Sequence, residues 1–272
     1  MQLETHPPPR MPDATTPTQL EQITLRGVRL HAVTEAGCVE HLIHELAQQR
    51  GGWVITPNLD HMRRAGSDAE FKGMLDEADV VVADGTPLIW ASKLQGTPLP
   101  ERVAGSSLVW SLAKAAAKNN RSLYLLGGDP GAAEKAGQVL IERYPDLKIA
   151  GTDCPPVGFD KTPGGMDQVL QKVLESKPDI VYVALGSPKQ ERLIRQVRDK
   201  LPHVWWLGVG ISLSFIAGDV RRAPLWVQKI GLEWLHRLFQ EPGRLAKRYL
   251  VHGLPFAARL LLGAAMNRSA KQ

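Results

Sequence analysis

Short apolar runs and amphipathic segments alternate along most of the chain. Apolar runs bounded by glycine, proline or aspartate predict strands; they read ITLRGVRLHAV (a strand pair), WVIT, VVVA, SLYLLGG, LKIAG, DIVYVALG and VWWLGVG. Between them, apolar residues recur three and four positions apart, as at Val39, Leu42, Ile43 and Leu46, which predicts helices. The repeated order of strand, glycine-containing turn and helix predicts an α/β fold: a Rossmann-like, doubly wound, mostly parallel sheet.

Local signals indicate where some of these elements begin and end. Ser67 and Asp68 can cap the helix that follows them. A further helix from Thr86 is expected to stop at Gly96, because glycine readily adopts the backbone conformation that ends a helix. Residues 152–166 are rich in proline and glycine and predict a loop.

Composition divides the chain into three parts. Residues 1–22 contain five prolines and few apolar side chains, which predicts a disordered N-terminal tail. Residues 23–220 form the predicted α/β domain, which is long enough to bury a sizeable core. Residues 221–272 form a predicted helical C-terminal appendage that is basic and rich in aromatic side chains.

Positive charge is concentrated in this appendage. The chain has a net charge of +5, but residues 221–272 hold ten Lys or Arg against two Glu, whereas the remainder holds 23 basic and 26 acidic residues. Aromatic residues lie among these cations: Trp226, Trp234, Phe239, Tyr249 and Phe256. Such helices suit an anionic membrane surface; the alternative is a helical pair that packs on the α/β domain with a solvated basic face. No nucleic-acid-binding motif accompanies the charge, so no nucleic acid partner is expected.

The expected compartment follows from what the sequence lacks. Cys38 and Cys154 form neither a CxxC motif nor a disulfide framework, which favours a reducing compartment, and no signal peptide is evident. No run approaches the ~18 uncharged apolar residues of a spanning helix, and the nearest, LPFAARLLLGAAM, contains Arg259. We therefore expect a cytoplasmic protein, peripherally associated with the inner face of the cell membrane.

Polar residues cluster where predicted strands end. Thr56 and Asn58 follow WVIT, and Asp84 follows VVVA. In an open parallel sheet, ligands bind in the crevice beyond the carboxyl ends of the strands. Asp84 is the candidate general base, because desolvation on an apolar rim raises a carboxylate's pKa; equally, it could be a turn residue bonded to backbone N–H groups. Arg102 could neutralise phosphate or pair with Glu101 or another surface acid.

Three strand-to-helix turns could bind a phosphorylated ligand at backbone N–H groups. Because any tight turn of this kind uses glycine, the glycines alone do not separate binding from structure. No GxxxxGK[ST], HExxH, GxSxG or DxD motif is present, so no metal or other cofactor is expected. The candidate ligand-binding residues in the turns are Gly127, Gly128, Gly186, Ser187, Lys189, Gln190, Gly208 and Gly210.

Several longer motifs occur in a characteristic order. They read TPNLDH, ADG, PLPERVAGS, LYLLGG, DIVYVALGSPKQE, GVG, AGDVRRAP and GLEWLHRLFQEPGRL. This order resembles the WecG/TagA/CpsF glycosyltransferase family from about Gly27 to Tyr249, and the GSPKQE and GLEWLHRLFQEP segments are its most specific parts.

The resemblance implies an activity. It implies inverting, metal-independent transfer of a hexose or N-acetylhexosamine, of the N-acetylmannosamine or glucose type, from a UDP-sugar to a polyprenyl-diphosphate-linked sugar. The reaction would serve cell-envelope or exopolysaccharide synthesis at the cytoplasmic face of the membrane. The family's proposed base corresponds to Asp84, and its other polar pocket residues correspond to Thr56, Asn58, Arg102 and Gln190. Its C-terminal, membrane-seeking cations correspond to Arg237 and Arg244, with Lys247 or Arg248 as the third.

Two departures from the family pattern concern the sugar pocket. The segment after GVG has Ser214 where the family often has Asp, and Thr86-Pro87 follows ADG in place of Ile-Gly. They leave the donor sugar less constrained than the reaction class. Alternatives are an inactive relative that acts as a membrane-bound interaction module, and a nucleotide-dependent oxidoreductase, which would lack its GxGxxG motif. The sequence leaves a homo-oligomer open.

Overall fold

A computed structural model describes residues 20–229 and 231–269, so most of the predicted disordered tail lies outside the described residues. An antiparallel hairpin of β1 (Gln22–Leu25) and β2 (Val28–His31) comes first. The main sheet contains β3 (Gly52–Ile55), β4 (Val80–Val81), β5 (Ser122–Gly127), β6 (Lys148–Asp153), β7 (Ile180–Ala184) and β8 (Trp205–Gly208). All its described pairings are parallel, in the order β4-β3-β8-β7-β5-β6. The predicted fold class is confirmed.

Helices follow the strands as the sequence pattern predicts. Those of the α/β domain are α1 (Glu35–Ala47), α2 (Leu59–Ala65), α3 (Ala69–Glu77), α4 (Thr86–Gln95), α5 (Gly105–Lys118), α6 (Ala132–Arg143), α7 (Gly165–Ser176), α8 (Lys189–Val197) and α9 (Ser212–Ile216), with 3-10 turns at Phe159–Lys161 and Arg198–Lys200. The C-terminal segment contains α10 (Leu225–Lys229), α11 (Glu233–Gln240), α12 (Pro242–Ala246), a π-helical stretch (Lys247–Gly253) and α13 (Leu254–Ser269).

Two expected helix boundaries are confirmed by their capping geometry. The Asp68 carboxylate accepts a hydrogen bond from the Phe71 N–H at 3.0 Å and caps α3. Gly96 ends α4 in the left-handed conformation, with φ of 83°. The predicted loop over 152–166 is shorter than expected at both ends, because β6 continues to Asp153 and α7 begins at Gly165.

The sheet separates two apolar layers. Alternate strand residues face opposite sides, so Val54 and Leu207 pack with α1, α5, α6 and α9, whereas Trp53 and Trp206 pack with α3, α4, α7 and α8. Both faces are buried, as expected for a parallel sheet. A ligand can therefore reach the sheet at the ends of its strands.

The strand order places a topological switch point in the sheet. The chain leaves β5 for β6 on one side, and it leaves the adjacent β7 for β8 on the other. Connections that diverge in this way open a crevice at the carboxyl ends of the two strands. Gly128 and Gly186 follow these strands, so two of the predicted ligand turns border this crevice.

The C-terminal segment packs on the α/β domain. α13 lies along α4, and its Leu260 and Ala264 are buried in the same apolar cluster as one face of the sheet. The Arg26 guanidinium lies 5.6 Å from the centroid of the Phe256 ring. The opposite side of α13 is apolar but exposed, with Leu254, Leu262 and Met266 at its surface.

The helical run Lys247–Arg268 contains 22 residues and is long and apolar enough, by length and composition alone, to cross a membrane. The run is not uncharged, since it contains Lys247, Arg248, Arg259 and Arg268, but the helix is longer than the stretch LPFAARLLLGAAM indicates. It continues from that stretch towards the N-terminus through Lys247–Gly253 without a break.

Candidate active site

Thr56, Asp84 and the start of α5 come together at the carboxyl edge of the sheet. The Asp84 N–H donates to the Pro57 carbonyl at 2.9 Å, which joins the segments that follow β4 and β3. A Cβ atom on Gly105 would lie 3.0 Å from the Thr56 hydroxyl oxygen, tighter than most such contacts. Glycine at the first position of α5 therefore lets this helix approach Thr56 closely.

The Asp84 carboxyl lies in an electrostatically mixed setting. Asp84 keeps some accessible surface, yet the surrounding protein desolvates its carboxyl and raises its pKa from 3.8 to about 6. The neighbouring Glu233 also raises this pKa, while Arg102, Arg222 and the Gly105 N–H lower it. The effect of desolvation on the pKa is larger than that of the cations, as the position of Asp84 after an apolar strand predicts. The result is a more basic carboxylate that is still largely ionised at neutral pH.

Arg102 is held by a carboxylate from the C-terminal segment. Its Nη1 donates to Glu233 Oε2 at 3.2 Å, and Arg222 Nε donates to Glu233 Oε1 at 3.0 Å. Arg222 also donates to the Ser106 carbonyl and the Ser107 hydroxyl, each at 3.0 Å. Arg102 thus pairs with Glu233 and not with Glu101, which accepts a hydrogen bond from the Glu35 N–H.

Asn58 lies next to this cluster, but its carbonyl oxygen is used locally. It accepts from the N–H groups of Asp60 and His61 at 3.0 and 3.2 Å, and the Asn58 N–H donates to the His61 ring at 3.1 Å. This reciprocal arrangement caps α2. Asn58 therefore shapes the turn beside Thr56.

Gln190 is buried on the other side of Thr56, beside the end of β8. Its side-chain oxygen accepts from the Gly210 N–H at 3.0 Å, and its side-chain nitrogen donates to Glu191 Oε1 at 2.9 Å. A Cβ on Gly208 would lie 2.5 Å from that nitrogen, so a side chain there would displace the Gln190 amide. Gln190 therefore fixes the Gly208–Gly210 turn, and no described contact joins it to Asp84.

The two remaining turns border the switch-point crevice. A Cβ on Gly127 would lie 2.8 Å from the Ala184 carbonyl oxygen, so glycine allows the ends of β5 and β7 to meet. Gly128 and Gly186 have φ of 87° and 72°. Ser187 is partly buried and Lys189 is exposed at the start of α8. These residues form one rim, separate from the Asp84 cluster.

The predicted C-terminal cations lie on two sides of the site. Arg237 packs over the Phe215 ring, 5.8 Å from its centroid, and its Nε is buried without a hydrogen-bond partner within the described residues. Arg248 pairs with Asp60 at 3.1 Å, beside the first turn of α2. Lys247 is exposed, and the side chain of Arg244 lies outside the described part of the chain. Arg237 and Arg248 thus flank the cluster without contacting Asp84.

Sequence reasoning assigned no role to Arg222 and Glu233. Both lie in segments that carried the family resemblance, AGDVRRAP and GLEWLHRLFQEP. The available signal was the scarcity of acids in a strongly basic segment, since Glu233 and Glu241 are the only acidic residues in 221–272. Its partners could not be read from sequence, because Glu233 is 131 residues from Arg102.

Comparison with known proteins identifies the family of this chain. The sequence model of the glycosyl transferase WecG/TagA/CpsF family matches residues 23–270. The chain belongs to this family of glycosyltransferases. The match begins in β1 and runs through the C-terminal segment, so it includes both halves of the Arg102–Glu233–Arg222 cluster.

Two curated relatives illustrate the family. The N-acetylglucosaminyldiphosphoundecaprenol N-acetyl-beta-D-mannosaminyltransferase of Bacillus spizizenii is 33% identical over 203 residues, which cover 73% of this chain and 75% of the relative. The enzyme of the same name from Staphylococcus aureus strain MW2 is 28% identical over 228 residues, covering 83% of this chain and 87% of the relative.

Proposed function

We propose that this glycosyltransferase transfers a hexose or N-acetylhexosamine from a UDP-sugar to a sugar carried on a polyprenyl diphosphate, with inversion at the anomeric carbon. The pathway would be cell-envelope or exopolysaccharide synthesis. The observation that carries the proposal is the desolvated Asp84 carboxyl beside Arg102 at the mouth of a parallel sheet. The names of the relatives, which specify an N-acetylglucosaminyl diphosphoundecaprenol acceptor and N-acetylmannosaminyl transfer, support the substrate class.

Asp84 supplies the base in this mechanism. The acceptor hydroxyl must lose its proton as its oxygen attacks the anomeric carbon, and a carboxylate whose pKa is raised to about 6 accepts that proton better than an ordinary one. The bond to the donor diphosphate breaks as the new glycosidic bond forms. A single displacement of this kind inverts the anomeric configuration.

Cationic and N–H groups stabilise the departing UDP. Arg102 lies beside Asp84 and Arg237 packs over Phe215, and both could contact the diphosphate, as could backbone N–H groups at the start of α8. Among the described residues the buried Nε of Arg237 has no hydrogen-bond partner, so a phosphate oxygen that reached it would satisfy this donor. We therefore infer that transfer needs no metal ion.

A transfer assay tests this function. The full chain is incubated with radiolabelled UDP-N-acetylmannosamine, UDP-N-acetylglucosamine or UDP-glucose and a short-chain polyprenyl diphosphate that carries N-acetylglucosamine. Formation of a labelled lipid-linked disaccharide with at least one donor, unchanged by EDTA, is the expected result. Absence of product with every donor contradicts the proposal, and loss of product in EDTA contradicts metal independence alone.

The exposed side of α13 supports peripheral membrane binding. Leu254, Leu262 and Met266 are 51%, 66% and 72% exposed, and Arg259 lies among them. An apolar helix surface bordered by cations fits the interface of an anionic bilayer. Spanning the bilayer would require α13 to leave the core, since Leu260 and Ala264 are buried against the domain. We therefore place the helix in the membrane plane.

Vesicle flotation tests this placement. The double variant Leu262→Ser, Met266→Ser is expected to lose most of its binding to anionic vesicles. Ile141→Ser removes an exposed apolar side chain from α6 and serves as the matched control. Equal binding by the double variant and the wild type would show that another surface contacts the membrane.

A further inference from the structure

A continuous series of contacts joins the first turn of α5 to Arg102 through the C-terminal segment. Arg222 contacts Ser106 and Ser107 in α5 and donates to Glu233, which in turn accepts from Arg102. The three charged side chains are mostly buried, at 22% exposure for Arg102, 19% for Arg222 and 14% for Glu233. Ion pairs shielded from water in this way keep a defined geometry.

Arg222 and Arg102 differ in how many of their guanidinium nitrogens donate hydrogen bonds. Arg222 donates from all three guanidinium nitrogens, so it is fixed. Arg102 donates from Nη1 alone, to Glu233, and its other nitrogens have no hydrogen bond to the described residues. The Arg102 side chain is 22% exposed, and neither nitrogen is among the buried, unpartnered atoms of the described residues, so both are accessible to solvent. Arg102 can therefore bind a ligand while it keeps its bond to Glu233.

We propose that Glu233 is a positioning residue, which orients the Arg102 guanidinium towards the donor diphosphate and is itself locked by Arg222. This inference rests on the proposed function and extends it. A free arginine side chain must be ordered when its ligand binds, and that ordering weakens binding. Because Glu233 holds one end of the guanidinium in advance, less of this entropy is lost on binding. The C-terminal segment thereby contributes to the donor site through an acid as well as through its cations.

The opposite role for Glu233 makes the opposite prediction. If Glu233 instead occupied Arg102 in competition with the diphosphate, removing its charge would free the guanidinium and tighten UDP binding. The hydrogen bonds of Arg222 argue against this role. All three of its guanidinium nitrogens donate, one of them to Glu233, so Glu233 would have to break this bond in order to move away from Arg102. The direction of change in UDP affinity thus separates the two.

Calorimetric titration of UDP into the full-length chain tests the proposal without turnover. Glu233→Gln keeps the side-chain shape and removes the charge, and it is expected to weaken UDP binding about tenfold. In an Arg102→Met background, the same change should alter UDP affinity less than twofold, since the residue it positions is gone. Unchanged or tighter binding in Glu233→Gln, or an equal loss in both backgrounds, would overturn the proposal.

Controls separate this outcome from others. Failure of the wild type to bind UDP would count against the proposed function itself. Glu45→Gln breaks a second carboxylate–arginine pair, with Arg50, at the opposite end of β3 and should leave UDP affinity unchanged. Circular dichroism and thermal melting establish that each variant folds. If Glu233→Gln does not fold, Arg222→Lys replaces it, and a loss of several-fold in UDP affinity is expected because Glu233 is no longer locked.

The pH dependence of transfer distinguishes this role from a purely structural one, because loss of a structural contact at Glu233 would not shift the pH profile. The charged groups that face Asp84 are Arg102, Arg222 and Glu233. Removing the Glu233 charge leaves two cations beside Asp84, so the acid limb of kcat/KM should move to lower pH in Glu233→Gln. An unmoved limb would contradict the placement of Glu233 beside the base.

Discussion

Asp84 and Glu191 both lie near the carboxyl ends of the strands, and desolvation is the main cause of the raised pKa of each carboxyl group. The surroundings of the two groups differ. Asp84 is partly accessible and faces Arg102 and Arg222. Glu191 is 1% exposed, and its nearest hydrogen-bond partner is the amide of Gln190. A raised pKa therefore does not identify a base. Access to a substrate hydroxyl, with cations that can receive the leaving group, distinguishes Asp84.

Replacing Asp84 should have the largest effect. Asp84→Asn keeps the side-chain size but cannot accept the acceptor proton, so kcat should fall about 10³-fold while UDP affinity changes little. Glu191→Gln is the matched control at the second carboxyl and should keep kcat within a few-fold of wild type. A transfer assay with saturating donor and acceptor measures both. Full activity in Asp84→Asn would exclude Asp84 as the base.

The pH dependence of transfer should report the same carboxyl. A general base acts when ionised, so kcat/KM should fall about tenfold per pH unit below the Asp84 pKa of about 6 and level off above it. Glu191→Gln should keep this limb. If the limb instead disappears in Glu191→Gln, the roles assigned to the two carboxyls are reversed.

The fold could be predicted from sequence because local pattern determined most of it. Apolar runs marked the strands, and capping by Asp68 and Gly96 marked helix ends, each a signal carried by neighbouring residues. The strand VVVA is shorter in the structure, where Val80 and Val81 form the ladder with β3. Which residues of an apolar run pair with a neighbouring strand is tertiary context, and a local pattern does not contain it.

The candidate site was only partly predictable for the same reason. Asp84 and Thr56 follow strands, and the rule that ligands bind at strand ends was sufficient to place them. Glu233 meets Arg102 across 131 residues, and the oxygen of Asn58, a predicted site residue, caps α2. Long-range ion pairs and local capping use the same polar residue types as ligand binding, so residue type alone could not separate these roles.

Replacing Gln190 should have an effect of intermediate size on catalysis, because Gln190 links Glu191 to the turn after β8. Gln190→Ala removes the acceptor for the Gly210 N–H and the donor to Glu191, which should loosen this turn and raise the donor KM several-fold with a smaller change in kcat. Steady-state kinetics measures both constants. As a control, Gln171→Ala removes a surface amide from α7. A fall in kcat as large as that of Asp84→Asn would show that Gln190 takes part in the chemical step.

Glu191 itself should affect stability more than catalysis. Its pKa is raised in the folded chain, so it favours folding at pH values below its unfolded pKa, and this contribution is lost as pH rises through the folded pKa. Its Oε2 makes no hydrogen bond of normal geometry within the described residues, although the Ser187 hydroxyl lies close enough to favour the ionised form. Glu191→Gln should therefore raise Tm by a few degrees at pH 8, and the gain should vanish at about pH 4.

The exposed Glu142 of α6 supplies the control for this melting experiment, since Glu142→Gln should leave Tm unchanged at both pH values. A lower Tm for Glu191→Gln at pH 8 would mean that the ionised carboxylate is a required acceptor for Gln190 and Ser187. Glu191 would then resemble Asp84 in that its role requires the ionised carboxylate. The distinction between the two carboxyls would rest on access to substrate alone.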